Sequence, residues 1–186
     1  KMYKDGMATI RDLIAPSSME VTFQWIRIGD TYAKTFFVYS YPRYIEANWL
    51  SPIINFDVTM DISMFIYPSE NAAVMKVLRN KVAQLQSSVH MNQEKGMVRD
   101  PALEAALQDA EELRDQLQRG QEKFFHFGLY FTIYSDDPDK IKKIQTNFES
   151  ILGGKLVLSR PADLQQEHGF NSTMPICTDE LEINRN

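Results

Sequence analysis

The strongest regular pattern in the chain is the alternation of apolar with mixed side chains between Lys123 and Tyr134. Five successive odd-numbered positions are apolar, namely Phe125, Phe127, Leu129, Phe131 and Ile133. The even-numbered positions carry aromatic, small and polar residues. Side chains that alternate with period two point to opposite faces of a β-strand, and aromatic residues are enriched in strands. The segment therefore predicts the central strand of a sheet, with its apolar face buried under helices.

Four other segments have the pattern of strands. Val21–Ile28 and Tyr32–Tyr41 flank Gly29-Asp30, which predicts a β-hairpin with that pair in its turn. Asp57–Tyr67 alternates apolar with polar positions, and Lys155–Leu158 is short and apolar. We expect these four strands to join the central strand in one sheet.

Two shorter helical regions are predicted beside the strands. Tyr44–Asn55 predicts two short helical turns, because Pro52 cannot lie inside a continuous helix. Asp139–Leu152 has a regular apolar face, and Gly153-Gly154 is expected to end that helix. Ala162–Gly169 is a candidate for one more helix.

A pair of long amphipathic helices is predicted in the middle of the chain. Apolar residues recur every three or four positions between 74 and 89 and again between 103 and 117. Gly96 stops the first helix, and Asp100-Pro101 supplies an N-cap and a first turn for the second. The apolar seam is narrow, so we expect an αα-hairpin that protrudes from the body rather than a pair of core helices.

The order of these elements predicts an α+β fold. Without the αα-hairpin the core has the order βαββαβ, which is the ferredoxin-like, split βαβ arrangement. We therefore predict a lead-in over residues 1–18 and a ferredoxin-like domain over 19–162 that begins with a β-hairpin. The αα-hairpin is predicted as an insert at about 69–122, and residues 163–186 are interpreted as a linker.

Composition and charge narrow the classes of function. The 186 residues are 44% hydrophobic and 24% charged, as in an ordinary globular chain with a sizeable core. The net charge of -5 argues against a nucleic-acid surface, which is normally basic. The single cysteine, Cys177, excludes an internal disulfide and fits a reducing compartment. No apolar run reaches about 18 residues, so the sequence predicts no membrane span.

The pair Gly154-Lys155 resembles the end of a phosphate-binding loop, but the pattern is incomplete. The motif GxxxxGK[ST] needs a glycine where the chain has Glu149 and a hydroxyl residue where it has Leu156. The pair also lies between a predicted helix and a predicted strand, in the reverse of the required order. We therefore interpret it as a helix C-cap.

The histidines and the cysteine do not form a recognisable site. None of His90, His126 and His168 has a second histidine or cysteine at the spacing of metal ligands. Cys177 lies in the predicted linker with no base beside it, so we interpret it as a free thiol. These residues are therefore expected to be structural or surface positions.

The carboxylates likewise suggest structural roles. Asp57 and Asp61 share a face of a predicted strand but lie about 13 Å apart, too far for a coupled acid pair. Asp136, Asp137 and Asp139 precede a helix and are interpreted as capping residues. The sequence thus nominates no catalytic, cofactor-binding or metal-ligating residue.

The aromatic strand also suggests RNA recognition. The pattern of an RNA-recognition strand is K/R-G-F/Y-G/A-F-V-x-F/Y, and the residues in its register are Lys123, Phe125, Phe127 and Tyr130. Phe124 and His126 occupy the positions for small residues, and Gly128 replaces the valine. The sequence therefore disfavours nucleic acid as a partner. We expect the mixed face to be covered by the N-terminal hairpin, another domain or a partner.

Several segments, in their order along the chain, resemble a known family. They are Thr9–Ser17, Tyr32–Tyr44, Asn48–Pro68, Lys81–Gln86, Val98–Gln118, Phe127–Tyr134 and Gln165–Leu181. The resemblance is to the N-terminal region of the conjugation and type IV secretion ATPases of the TrbE/CagE/TraC class, the VirB-family motors, especially their forms in Gram-positive and uncultivated bacteria. In that family a stretch similar to the one with Ser172, Thr173 and Pro175 leads towards the ATPase domain.

The resemblance implies that the chain is the front part of a longer, hexameric motor. The family's phosphate loop, its Mg-coordinating acidic strand and its arginine finger lie downstream, so ATP and Mg are implied for that domain and no cofactor for this one. No catalytic activity is expected here, although the full-length family protein is an ATPase. The implied partners are the protein's own motor domain, further copies of the chain and inner-membrane secretion components. The implied location is cytoplasmic, peripheral to the inner membrane.

Overall fold

The computed structural model describes Pro16 and residues 18–181, which form an open antiparallel sheet of six strands with five helices. The strands are β1 (Met19–Val21), β2 (Ile26–Ile28), β3 (Thr31–Ser40), β4 (Met60–Pro68), β5 (Phe125–Ser135) and β6 (Leu158–Pro161). The helices are α1 (Ser51–Ile54), α2 (Asn71–Glu94), α3 (Pro101–Gln118), α4 (Pro138–Gly153) and α5 (Gln166–Thr173). The predicted α+β class is confirmed. The predicted lead-in over residues 1–18 lies outside the described residues, apart from Pro16 and Ser18.

The predicted first strand is in fact two short strands. Thr22 interrupts it, because its amide and its hydroxyl both donate to the carbonyl of Trp25, at 2.9 and 2.8 Å. This turn joins β1 to β2, which pair in antiparallel fashion. The predicted turn at Gly29-Asp30 is correct, since Gly29 has a positive φ of 58° between β2 and β3. Glycine adopts that conformation without a steric penalty.

β3 pairs with two strands along one edge and with β5 along the other. Its first residues pair with β2, and its last residues, from Phe36 to Ser40, pair with β6. Phe36 and Phe37 pair with β5 and with β6 at the same time, so β5 and β6 flank β3. The strand order is therefore β6–β3–β5–β4, with β2 and β1 continuing from the first half of β3. β5 is central, as predicted.

The apolar face of β5 lies in the main core. Leu129, Phe131 and Ile133 are fully buried and share a cluster with residues from β3, α1 and α4. Phe148 of α4 is the centre of contact, with its ring 4.9 Å from that of Phe131 and 5.4 Å from that of Phe36. Burying such side chains contributes roughly 1.5–3 kcal/mol each, which fixes both helices on this face. Only the first member of the predicted apolar set, Phe125, is exposed.

The predicted αα-hairpin is present as α2 and α3, within a compact unit that spans Ile66–His126. Its seam is narrow, with Val82, Leu85 and Leu117 as the buried residues of the two helices. Asp100 caps α3 by accepting hydrogen bonds from two backbone amides, as predicted. Gly96 has a positive φ of 63° after α2. Among the described helices, none has the length and apolar character needed to cross a membrane.

The chain after β6 forms a second layer on the sheet. The sequence suggested a candidate helix over Ala162–Gly169 and a linker over 163–186. A helix is present, but it is α5 at Gln166–Thr173, and Leu181 beyond it is fully buried. The layer packs on the mixed face of β5, where Tyr130 and Thr132 are completely buried. Polar side chains hold this layer on the sheet. Such contacts leave no periodic apolar pattern in the sequence, so the layer could not be predicted from one. The mixed face is thus covered by the chain's own C-terminal segment and not by the N-terminal hairpin.

Gln166 fixes this layer by completing the hydrogen bonding of β3. β2 pairs with β3 as far as Ala33, and β6 begins to pair at Phe36. The Thr35 carbonyl accepts from the amide of Ala162, directly after β6, at 2.9 Å, but no described strand offers an acceptor to the Thr35 amide. The Gln166 side chain supplies it: its Oε1 accepts from the Thr35 amide at 2.8 Å, and its Nε2 donates to the Thr35 carbonyl at 3.4 Å. The side-chain amide of Gln166 thus takes the place of a backbone partner from a neighbouring strand, and Gln166 is fully buried as a result.

We predict that Gly169→Ala destabilises the protein by about 1–3 kcal/mol, because it overpacks the contact between α5 and β3. A Cβ at residue 169 would lie 2.7 Å from Cγ2 of Thr35, closer than atoms can approach. Gly153→Ala in α4 is the matched control, since its Cβ would meet nothing within 4 Å. Urea denaturation should leave Gly153→Ala unchanged or slightly more stable, because alanine favours helix. Equal stability of the two variants would contradict close packing at Gly169.

Candidate functional site

The structure does not gather the candidate residues named from sequence into one site. His90 pairs with Glu94 of its own helix at 3.3 Å, and the ring of His126 stacks edge-on against Phe124. Nδ1 of His168 lies 2.8 Å from a carboxylate oxygen of Glu180. Within the described part of the chain, no three side chains of the metal-binding types come together.

Of the three carboxylates near α4 that were predicted to cap it, Asp137 does so, and Asp136 and Asp139 form ion pairs with lysines. Asp137 accepts a hydrogen bond from the amide of Asp139 at 2.9 Å and caps the helix. Asp136 pairs with Lys140 at 2.8 Å, and this hydrogen bond lowers the pKa of the Asp136 carboxyl. Asp139 pairs with Lys142 at 3.2 Å. These exposed ion pairs contribute little, so this end of α4 has a structural role.

Asp61 and Tyr134 form a polar contact between β4 and β5. The Tyr134 hydroxyl donates to Asp61 at 2.6 Å. Burial and this hydrogen bond raise the pKa of the Tyr134 phenol well above its ordinary value, so it stays a donor at neutral pH. The contact therefore fixes the position of the Asp61 side chain on this face of the sheet.

The mixed face of β5 is closed by a chain of hydroxyl groups. Thr35 and Thr132 lie 2.7 Å apart between their hydroxyl oxygens, and Thr132 and Thr173 lie 2.6 Å apart. Each of these three side chains is buried. A hydroxyl both donates and accepts, so such a chain can satisfy every member in an interior without water.

Tyr130 anchors the end of the same layer. Its hydroxyl donates to Asp179 at 2.9 Å, and the carbonyl of Leu181 lies 3.3 Å away. Its side chain has 0% exposure and lies over Gly128, where a Cβ would meet the phenol oxygen at 2.7 Å. The stacking role that the RNA pattern suggested for Tyr130 is therefore absent from this structure, because the ring has no exposed face.

The surface best suited to a function is an apolar groove in the compact unit that contains the sheet. One wall is the connection between β3 and α1, with Tyr44, Ile45 and Trp49, and the other is Gly154–Val157 after α4. The groove encloses about 240 Å³. Tyr44 is 73% exposed although it is aromatic. We call this surface the Tyr44–Leu156 groove.

Leu156 occupies a position that normally requires glycine. The Val157 amide donates to the carbonyl of Leu152 at 3.0 Å, and the Leu156 amide donates to that of Gly153 at 2.9 Å. These two bonds define a Schellman motif, in which the residue in the position of Leu156 is left-handed and usually glycine. Leu156 has a φ of 58° and is 70% exposed, whereas Val157 is buried. A left-handed conformation costs roughly 1–2 kcal/mol for a residue with a Cβ.

The groove also explains one difference from the sequence analysis. As predicted, α4 ends at Gly153 with Gly154 as its C-cap, but the left-handed residue of this helix end is Leu156. For this reason β6 begins at Leu158 and not at Lys155. Lys155 lines the groove and has no phosphate loop around it, in agreement with the incomplete motif. One sequence feature could have indicated this helix end. Leu156 follows Gly153-Gly154 and Lys155, at the position where a left-handed glycine would be expected.

A buried hydroxyl lies beside the groove. The Tyr41 ring contacts the rings of Trp49 and Phe127, at 6.2 and 5.6 Å between centroids. Its hydroxyl is buried without a hydrogen-bond partner among the described residues. Burial raises the pKa of this phenol well above its ordinary value. The aromatic wall behind the groove is therefore held by packing alone.

Comparison with known proteins does not identify the chain. No protein-family model matches it, and no curated protein matches it with significance. The site must therefore be interpreted from its own geometry.

We predict opposite results from removing the hydroxyl groups of Tyr130 and Tyr41. Tyr130→Phe loses a hydrogen bond to a carboxylate, so its free energy of unfolding should fall by about 1.5–3 kcal/mol. Tyr41→Phe removes a buried, unsatisfied group and should leave the free energy unchanged or raise it by up to about 1 kcal/mol. Chemical denaturation measures both. A similar loss in Tyr41→Phe would show that its hydroxyl is bonded in solution.

Proposed function

We propose that the chain is a non-catalytic, ferredoxin-like docking domain at the N-terminus of a type IV secretion ATPase of the kind that powers conjugative transfer, export or pilus assembly. In this proposal it binds inner-membrane components of the secretion system and its own motor domain on the cytoplasmic side. The downstream motor domain binds ATP and Mg. The full-length protein is a homo-oligomer.

Two observations support the proposed fold. The elements β3, α1, β4, β5, α4 and β6 follow the order βαββαβ, with the αα-hairpin between β4 and β5. The sheet order β6–β3–β5–β4, in which each of the pairs β3–β5 and β3–β6 is antiparallel, is that expected of a split βαβ domain. Both helices of this set contribute to the same core cluster.

The observation that carries the docking function is the exposed leucine in a strained position. Leu156 has two unfavourable features, a left-handed backbone and an apolar side chain in water. Tyr44 adds an exposed aromatic ring to the same groove. Exposed tyrosine and leucine at a concave surface are typical of a protein interface. The occupant that fits is an apolar side chain from a segment of a protein partner.

The alternative is a stand-alone binding module for single-stranded nucleic acid or for a protein. The burial of Tyr130 removes the aromatic platform that nucleic-acid stacking would need. A stand-alone protein-binding module would use the same groove. The coding sequence beyond Asn186 distinguishes the two proposals, because only a secretion motor requires an ATPase domain there. A strand with GxxxxGK[ST] after it favours the secretion motor, and an immediate stop codon excludes it.

We predict that Leu156→Gly separates stability from partner binding. Glycine relieves the strain at the left-handed position, so the free energy of unfolding should rise by up to about 1 kcal/mol. The variant loses an apolar side chain worth roughly 1.5–3 kcal/mol when buried, so binding should weaken by about tenfold to a hundredfold. The measurement is copurification and titration of the full-length protein with the co-expressed inner-membrane secretion components.

Leu164→Gly is the matched control for this experiment. Leu164 also has a positive φ, 66°, and is 83% exposed, but it does not line the groove. The same substitution there should raise stability without changing binding. Equal binding of the wild type and Leu156→Gly would show that the groove is not the docking surface. Specific Mg-ATP binding by the isolated chain in calorimetry would contradict a non-catalytic domain.

A further inference from the structure

The outer edge of β4 has backbone groups that no described strand pairs with. β4 is the last strand on its side of the sheet. The amide of Tyr134 donates to the carbonyl of Thr59, and the amide of Ser69 donates to that of Phe124, each at 3.0 Å. Both bonds belong to one antiparallel register, in which odd-numbered residues of β4 bond to β5. The amides and carbonyls of Met60, Ile62 and Met64 therefore point outwards.

Before Pro68, which ends β4, this edge lacks the usual protection against pairing. Natural edges are shortened, bulged, or marked by lysine and proline. The opposite edge strand, β1, has only three residues and includes Glu20. From Met60 to Phe65, β4 has a single charged residue, Asp61, which is held by the Tyr134 hydroxyl. On the core-facing side of β4, Met64 is 48% exposed and Ile66 59% exposed, whereas Met60 and Ile62 pack against the main core.

We propose that the edge of β4 pairs with the same edge of a second copy of this chain, so that the sheet continues across a two-fold axis. Two copies related by such an axis present their edges in antiparallel directions. The outward amides and carbonyls of every second residue can then form an antiparallel ladder. The inference does not depend on the secretion assignment. It concerns a surface that the Tyr44–Leu156 groove does not include.

The residues on the strand favour self-pairing over pairing with a charged partner. An axis near Ser63 places Ile62 of one copy opposite Met64 of the other, so apolar side chains extend the core face of both sheets. In that register Asp61 lies opposite Phe65 of the second copy, and the two Asp61 side chains avoid each other. A register centred on Asp61 would oppose two like charges and is therefore disfavoured.

The test is the oligomeric state of Met64→Pro. Proline removes the outward amide of residue 64, which β5 does not use, and it is tolerated at strand edges. Sedimentation over a concentration series should show a monomer–dimer equilibrium for the wild type. Its dissociation constant should rise at least about tenfold in Met64→Pro, equivalent to about 1.4 kcal/mol. Met64→Leu retains the amide and the apolar side chain, and it should dimerise as the wild type does.

Two further measurements keep the test decisive if Met64→Pro folds poorly. Met64→Lys leaves the backbone intact and places a charge at the edge, so it should also dissociate the dimer. Amide hydrogen exchange of the wild type should show protection of Ile62 and Met64 that increases with protein concentration. A wild type that stays monomeric at every concentration would overturn the proposal. So would a dimer that is unaffected by Met64→Lys.

Discussion

The backbone of Thr35 is the point on which the two layers of this sheet depend. Neither β2 nor β6 offers an acceptor to the amide of this residue, although the Ala162 amide bonds its carbonyl, so the amide would be buried without a strand partner. A buried, unsatisfied amide costs about 1–3 kcal/mol. Gln166 supplies the missing partner, and the hydroxyls of Thr35, Thr132 and Thr173 continue the polar contact across the sheet. The interruption of the β3 ladder at Thr35 thus determines where α5 lies.

Local patterns predicted those parts of the fold whose cause is local. The apolar face of β5 and the seam of the αα-hairpin follow from the spacing of side chains within one element. The caps at Asp100 and Asp137 follow from the chemistry of one turn. The turn at Thr22 escaped prediction, because a threonine hydroxyl in a run with strand character competes with the ladder for a backbone carbonyl.

The C-terminal layer and the groove could not be predicted in the same way. Gln166 and Thr35 are 131 positions apart, and no periodicity marks a polar side chain that fills a gap in a sheet. Lys34 shows the same difficulty on the other face, where burial lowers the pKa of its ammonium against the opposing effect of Asp163. Leu156 is left-handed because Val157 must enter the core. A leucine in the sequence gives no indication that its backbone is left-handed.

The separation of Gln166 from Thr35 also has a consequence for the order of events during synthesis. Contacts between distant residues form later than local ones, because closing a long loop costs conformational entropy. The αα-hairpin joins neighbouring segments and can assemble while the ribosome is still translating the remainder. β3, by contrast, has β2 as a local partner, but its partners β5 and β6 and the α5 contact lie far downstream in the chain. Until those partners are synthesised, the aromatic residues of β3 lack their core neighbours, and such transiently exposed apolar surface favours aggregation.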